Sequence, residues 1–363
     1  MSSYGILGGG GVRLLKGTRV LSFLVLFLIG WSAVYAGEPI RVNQAIYKGK
    51  KPLELSGSRR DGKSPDLPQA PGWPQELAVG STWKDTKGVA FADLDGDGNL
   101  EIITGTNAYR VYVWNYLGDS RPGWPQMLSG RVLSGVAVGD VNADGLPNIV
   151  AAVYNPQGLV YVFDRDGNVL PGWPASFGDH YAAQTPTLSD LDGDGKLEII
   201  VGERALPQSW VHVLTYDGTE FPGNWPVELD HGPGTGAAVG DIDNDGEKEI
   251  IYCSLQSIYA FESDGTIVPG WPCTPSPLTF YRNAPALADF DEDGYLEIVC
   301  SSTEWNKTFI LDHQGNFLPG WPRDAPASSG PPSVGDIDRD GDLEIVVGNY
   351  PPPIPDPFCM CTT

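Results

Sequence analysis

The chain has 363 residues, with 46 acidic against 23 basic side chains and a formal charge of −23, a balance that excludes a nucleic-acid partner. Hydrophobic residues make up 41%, including 11 Trp, 15 Tyr and 12 Phe, so a core can form and the 46 Gly and 32 Pro read as punctuation between short elements. Five cysteines, an odd count without CxxC spacing, exclude a disulfide scaffold and a zinc site of the finger type.

Arg13, Lys16 and Arg19 precede an apolar run over 20–36 that ends in small residues, with Val34 and Ala36 just ahead of a cut at Gly37. This is the pattern of a secretory signal peptide over 1–36, although the run is also about long enough for an uncleaved anchor. Cleavage removes three positive charges and no negative one. No second apolar run follows, so the mature chain is expected outside the cytoplasm, secreted or on a cell surface, without membrane insertion. Residues 37–70 read as an N-terminal linker, with a closing strand as one option.

From 71 to 349 the chain repeats. A short apolar alternation at 89–92, and again at 136–139, 186–189, 237–240, 285–288 and 332–335, predicts a first strand. An acidic loop follows, then a β-branched run such as Ile102 and Ile103, Ile199 and Ile200, or Ile345 and Val346, which predicts a second strand buried on both faces. A third strand is expected at 111–114, 160–163, 211–214, 258–261 and 309–311. It is closed by a glycine turn and a Pro-Gly-Trp-Pro motif at Trp73, Trp124, Trp173, Trp271 and Trp321, with Asn224 inserted before Trp225.

Room remains for a fourth strand before the next copy, and the copies stand 47 to 51 residues apart. Four antiparallel strands at that period predict an all-β chain, a β-propeller of four-stranded antiparallel blades with six detectable repeats. The regularly spaced tryptophans suit wedges between blades. Strand parity places the acidic loops and the tryptophan turns on one face of the propeller. The second-to-third-strand turns and the entries to each first strand lie on the other.

The acidic loop has the form Asp-x-Asp-x-Asp-Gly-x-x-Glu. Its copies run through Asp93, Asp95, Asp97, Asn99 and Glu101; Asp190, Asp192, Asp194, Lys196 and Glu198; Asp241, Asp243, Asp245, Glu247 and Glu249; Asp289, Asp291, Asp293, Tyr295 and Glu297; and Asp336, Asp338, Asp340, Asp342 and Glu344. Position seven (Asn99, Lys196, Glu247, Tyr295, Asp342) offers its backbone carbonyl, and the other positions offer carboxylates. A flexible array of hard oxygens around a glycine turn suits Ca2+ better than Mg2+, and four converging carboxylates repel one another without a cation.

At positions one, three, five and nine the six loops hold 22 of the 46 acidic residues, four in each of five copies and two in the other, so the charge of the chain belongs largely to them. The second copy departs from the rest: Asp140, Asn142, Asp144 and Asn148 leave two carboxylates, and it is expected to be the weakest site, or vacant. An EF-hand is excluded because position twelve is Thr104 and the flanks are strands.

The loop between two strands, six times at a regular period, resembles the FG-GAP or VCBS repeat, whose members include the integrin α-subunit head. The resemblance implies an extracellular propeller with about five to six structural calcium sites, a usual blade number of seven, and ligands on the face away from calcium. On that face the repeats diverge and carry Trp83, Arg131, His180, Tyr181, Trp210, His231, Tyr281, Arg282 and Trp305, aromatics beside polar groups that suit an extracellular glycan or protein ligand. A non-catalytic adhesion or recognition module is the leading expectation. A polysaccharide-active, lyase-like enzyme on the same scaffold, or a carrier for another domain, stays open, since no spacing singles out a catalytic set.

Cys253 and Cys300 read as buried filler, while Cys273, Cys359 and Cys361 carry no assigned role. A Pro-rich tail at 350–363 stands where the third strand of the sixth repeat is expected. If the chain ends join to complete that blade, strands are expected from 53–58 and 75–80. Otherwise the repeats are a six-bladed piece or a truncated seven-bladed one.

Overall fold

A computed structural model describes residues 88–349 except 179, 183, 205–207, 276–282, 303–304 and 326–328, together with 70–73, 75, 77 and the short strands within 6–12 and 45–54. The apolar run of the expected signal peptide, the tail 350–363, Trp83, Tyr281 and Arg282 lie outside the described residues. Met1–Val34 is a unit by itself, in which Ile6–Leu7 pairs antiparallel with Gly11–Val12. No helix among the described residues is long and apolar enough to cross a membrane.

The unit Tyr35–Thr363 is built from antiparallel sheets, one per repeat. The first sheet runs Ala90–Ala92, Glu101–Thr106, Arg110–Trp114 and Gln126–Met127, and the second runs Ala137–Gly139, Asn148–Val153, Leu159–Phe163 and Ala175–Ser176. The third, Thr187–Ser189, Glu198–Arg204, Ser209–Leu214 and Val227–Leu229, gains Tyr181–Ala182 beside its second strand. The fourth comprises Pro233–Gly240, Glu249–Ser254 and Ile258–Phe261, and its outer edge is a single bridge from Ile258 to Cys273. The fifth is Ala286–Ala288, Glu297–Ser302, Lys307–Leu311 and Arg323–Asp324.

The sixth sheet draws on both ends of the chain. Ser329–Gly335 pairs with Glu344–Asn349, which pairs with Ala45–Lys48 in a register that sets Val346 opposite Ile46, and Lys51–Glu54 completes the edge. The expected closing strands at 53–58 and 75–80 are therefore corrected to Ala45–Lys48 and Lys51–Glu54. The two are separated in sequence by Gly49 and Lys50, a two-residue Gly-x hairpin signal.

First strands of successive sheets adjoin one another, so they line the axis and the sheets radiate outward. Hydroxyls tie them together: Gly135 N donates to Thr185 Oγ1 at 3.0 Å, Thr187 Oγ1 bonds Ala237 at 3.1 Å, and Ala284 N donates to Thr235 Oγ1 at 2.9 Å. Every residue of Asn148–Val153, Glu249–Ser254 and Glu297–Ser302 is buried, because these second strands have a sheet packed on each face.

The apolar clusters span neighbouring sheets, and each takes one turn tryptophan. Trp124 packs with Val113, Ile149 and Phe163, and Trp173 with Val150, Ile199 and Leu214. Each indole then crosses to the hairpin turn of the next repeat. Trp124 Nε1 donates to Arg165 O, Trp173 to Tyr216 O, Trp225 to Ser263 O and Trp271 to His313 O, all at 2.9–3.0 Å.

The glycine before the tryptophan is required for this approach. A Cβ on Gly172, at φ +89°, would stand 2.0 Å from Asp217 O. Cys253, Cys273 and Cys300 share one cluster, where burial pushes the Cys273 thiol up to about 12 and the Cys300 thiol well above its ordinary range, so neither is an available thiolate at neutral pH.

Candidate metal centres

The acidic loops fold on hydrogen bonds from their own amides. The first aspartate accepts at Oδ2 from the position-six glycine in every copy: Gly98, Gly145, Gly195, Gly246, Gly294 and Gly341, at 2.7–3.2 Å. Position five accepts from the amide of position seven, as Asp97 does from Asn99, Asp194 from Lys196, Asp245 from Glu247, Asp293 from Tyr295 and Asp340 from Asp342, at 2.7–3.1 Å. The position-nine glutamate reaches back to the amide of position two. Glu101 bonds Leu94, Glu198 Leu191, Glu249 Ile242, Glu297 Phe290 and Glu344 Ile337, each through Oε2 at 2.6–2.8 Å.

These bonds bring three carboxylates to within 4.8 Å of one another in five loops: Asp93, Asp95 and Glu101; Asp190, Asp192 and Asp194; Asp241, Asp243 and Glu249; Asp289, Asp291 and Glu297; and Asp336, Asp338 and Asp340. Each group could hold a metal ion. The donor set fits one, because buried oxygens are left over. Glu249 Oε1, Glu344 Oε1, Asp243 Oδ1 and Asp289 Oδ1 are buried without a hydrogen-bond partner, although the other oxygen of both glutamates is bonded to backbone. Burial, reinforced by the neighbouring aspartates, pushes Glu198, Glu249 and Glu297 up to about 7.

The second loop differs in the way its sequence suggests. Asn148 Oδ1 replaces the glutamate oxygen in bonding Val141 N at 3.0 Å, and Asn142 Nδ2 donates to Asp144 Oδ2 at 3.0 Å. The amides thus replace two of the carboxylates, although Asn142 Oδ1 stays buried without a hydrogen-bond partner. Position four is left-handed in all copies, with φ +76° at Gly96 and Gly193 but +58° at Ala143, +61° at Asn244, +60° at Glu292 and +63° at Arg339. We expect Ala143→Gly to raise stability by about 1 kcal/mol, measured as a shift of the denaturant midpoint at constant m-value.

The first loop holds a residue that sequence reading passed over. Arg121 Nη1 donates to Asp95 Oδ2 at 2.6 Å and to Glu101 Oε1 at 3.0 Å. The guanidinium holds the Asp95 carboxyl below the usual carboxylate range. Arg121 sits on the turn face, as strand parity requires. In the third loop Lys196 Nζ bonds Asp194 Oδ2 at 2.8 Å and lies over the Tyr216 ring, and in the fifth Tyr295 stacks on His313 at 4.4 Å.

On the opposite face, Arg131 pairs through its backbone with Tyr154, Tyr154 stacks on Tyr181 at 4.4 Å, and His180 stacks on Trp210 at 5.4 Å. Beneath them runs a chain of titratable groups. His180 Nδ1 meets Glu203, whose other oxygen bonds His212 Nε2 at 2.6 Å, and His212 Nδ1 bonds Glu220 at 2.5 Å. His212 and Glu203 are buried. Burial disfavours the charged imidazole, but the two carboxylates outweigh it and raise the His212 pKa. Neither Glu203 nor His212 was legible as a site residue, since both sit within strand patterns.

His231 Nδ1 accepts from Gly232 N at 2.8 Å. Trp305 packs against the cluster of Ile298 and Phe309, with its ring 6.0 Å from Phe309, so core packing takes part of its surface.

The FG-GAP-like repeat family matches residues 93–151, 140–201 and 289–347, each match beginning on the first aspartate of an acidic loop. The KICSTOR complex protein ITFG2 of Mus musculus is 31% identical over 127 residues, covering 31% of this chain and 28% of ITFG2. Among solved structures, the V. cholerae biofilm matrix protein Bap1 superposes with TM-score 0.51 at 17% identity, over 73% of this chain and 44% of Bap1. The Dos1 propeller does so with TM-score 0.49 at 10% identity, over 72% of this chain and 68% of that structure. The chain thus spans 28% of the length of ITFG2 and 44% of that of Bap1. The chain thus carries three FG-GAP-like repeats on a β-propeller of antiparallel sheets.

Proposed function

We propose that the protein is a calcium-stabilised β-propeller that works outside the cytoplasm as a non-catalytic adhesion or recognition module, with its glycan or protein ligand on the face opposite the calcium loops. Support for the calcium comes from the buried, unpartnered carboxylate oxygens of Glu249, Glu344, Asp243 and Asp289. Glu198, Glu249, Glu297 and Glu344 would hold the ions with the aspartates at positions one, three and five. The ion supplies charge compensation between blade strands, and nothing in this reading routes chemistry through it.

The ligand reading rests on the aromatic array of Tyr154, Tyr181, His180 and Trp210, which sits where successive repeats stop resembling one another. Flat rings beside carboxylate and imidazole groups suit stacking on sugars or anchoring a protein side chain. We expect Tyr181→Ala and Trp210→Ala each to weaken binding on a glycan array or in a pull-down at least tenfold, with melting temperatures unchanged within error. Wild-type binding of both variants removes this face from the ligand site.

A second reading is favoured by one observation, the pairing of His180 with Glu203 inside the array. A polysaccharide-active enzyme could use such a pair for proton transfer. Release of unsaturated uronate from pectin-like polymers, lost in His180→Ala, would support it over simple recognition.

A further inference from the structure

Arg121 occupies a place that no other repeat fills in the same way. The residue before each Pro-Gly-Trp or Pro-Gly-Asn-Trp motif is Ala70, Leu170, Phe221, Val268 or Leu318, all apolar, except in the repeat that opens at Asp93, where it is Arg121. Its backbone is pinned there. Arg121 N donates to Val113 O at 3.0 Å, and Trp124 N donates to Arg121 O at 3.1 Å. From that anchor the side chain enters the first acidic loop, where it is 15% exposed and Nη1 bridges Asp95 Oδ2 and Glu101 Oε1.

The bridged pair is the position-three and position-nine pair. In the fourth loop those positions leave Asp243 Oδ1 and Glu249 Oε1 buried and unpartnered, and in the sixth loop Glu344 Oε1 is likewise unpartnered. In the first loop the corresponding Glu101 Oε1 has its partner in Arg121.

We infer that Arg121 is a built-in cation that takes the place of calcium in the first loop, so this repeat is held closed without metal while the loops opening at Asp190, Asp241, Asp289 and Asp336 take the ion. The inference rests on the calcium reading above. Physically it follows from charge and space. A guanidinium stays protonated at any pH the protein meets and satisfies two carboxylates with directed hydrogen bonds. A divalent ion entering the same three-carboxylate cluster would have to expel it or bear its repulsion at a few Å. The first repeat then keeps its loop geometry when calcium is withdrawn, and the chain has one blade whose closure does not depend on the ion.

The experiment is a pair of crystal structures of the chain soaked in terbium, one of wild type and one of Arg121→Leu, read by anomalous scattering. The expected result is metal in the loops at Asp190, Asp241, Asp289 and Asp336 of both, none at Asp93 in wild type, and a new peak between Asp95 and Glu101 in the variant. Metal at Asp93 in wild type, with Arg121 displaced, overturns the inference and leaves the calcium reading intact. A variant that gains no metal at Asp93 while its other loops are filled overturns it as well. Metal in no loop of either protein overturns both readings. If Arg121→Leu does not fold, the wild-type crystal decides alone, by the presence or absence of metal between Asp95 and Glu101.

Discussion

Chelation at neutral pH is expected to strip the propeller of most of its stability, and to do so far less at pH 5. Each independent site filled at about 100 times its dissociation constant adds about 2.7 kcal/mol. Four such sites match the 5–15 kcal/mol by which whole domains are stable.

The pH dependence follows from the buried glutamates. Glu198, Glu249 and Glu297 are raised to about 7 without the ion. In the unfolded chain they titrate near the ordinary glutamate value, about 4.3. Between those two values the folded, metal-free protein carries more protons than the unfolded one, so its stability falls as pH rises and the full penalty is reached above pH 7. The size is on the order of 1–3 kcal/mol per glutamate. Bound calcium, on the reading proposed above, would replace the protons and remove the slope. Melting curves with chelator and with calcium, taken from pH 5 to 7.5, should therefore diverge as pH rises. Parallel curves would show that these carboxylates do not hold a stabilising cation.

The second large effect is expected at the turn tryptophans. Trp173→Ala removes a buried indole that packs with Val150, Ile199 and Leu214 and donates to Tyr216 O at 2.9 Å. Cavity formation of this kind costs about 3–5 kcal/mol, with about 1 kcal/mol more for the lost hydrogen bond. A fall in melting temperature on the order of 10 °C is expected for this chain length.

Gly172→Ala should be at least comparable although it adds only a methyl group. The left-handed backbone costs about 1–2 kcal/mol, and the Cβ position collides with Asp217 O. Trp210→Ala is the control, since that ring lies half-buried on the opposite face. Equal losses for Trp173 and Trp210 would mean that the turn tryptophans are not wedges between blades.

Much of this was legible in the sequence because a repeat prints the same physical demand several times. The acidic loop, the buried second strand and the tryptophan turn each recur at one period, so accidents at single positions cancel. What was illegible occurs once. Arg121 differs from Leu170 and Val268 only when the turns are laid side by side, and its target lies across the sheet in another loop. Glu203 and His212 face each other across adjacent strands, a pairing set by register and not by spacing along the chain.

The closing strands were placed wrongly for a related reason. Ala45–Lys48 belongs to no copy of the repeat, so only pairing with Glu344–Asn349 identifies it. The ligand-face residues were found by divergence alone, which marks where repeats stop agreeing without saying what meets them.

That sixth sheet sets the order of events in making the protein. Ala45–Lys48 waits for a partner about 300 residues later in sequence, so the sixth sheet assembles only after Glu344–Asn349 has been made. Until then Ala45–Lys48 has only its hairpin partner Lys51–Glu54 and keeps one open edge, the feature that invites pairing with a neighbouring chain. Crowded, slow release should thus favour exchanged dimers, in which the early strand of one molecule completes the late sheet of another.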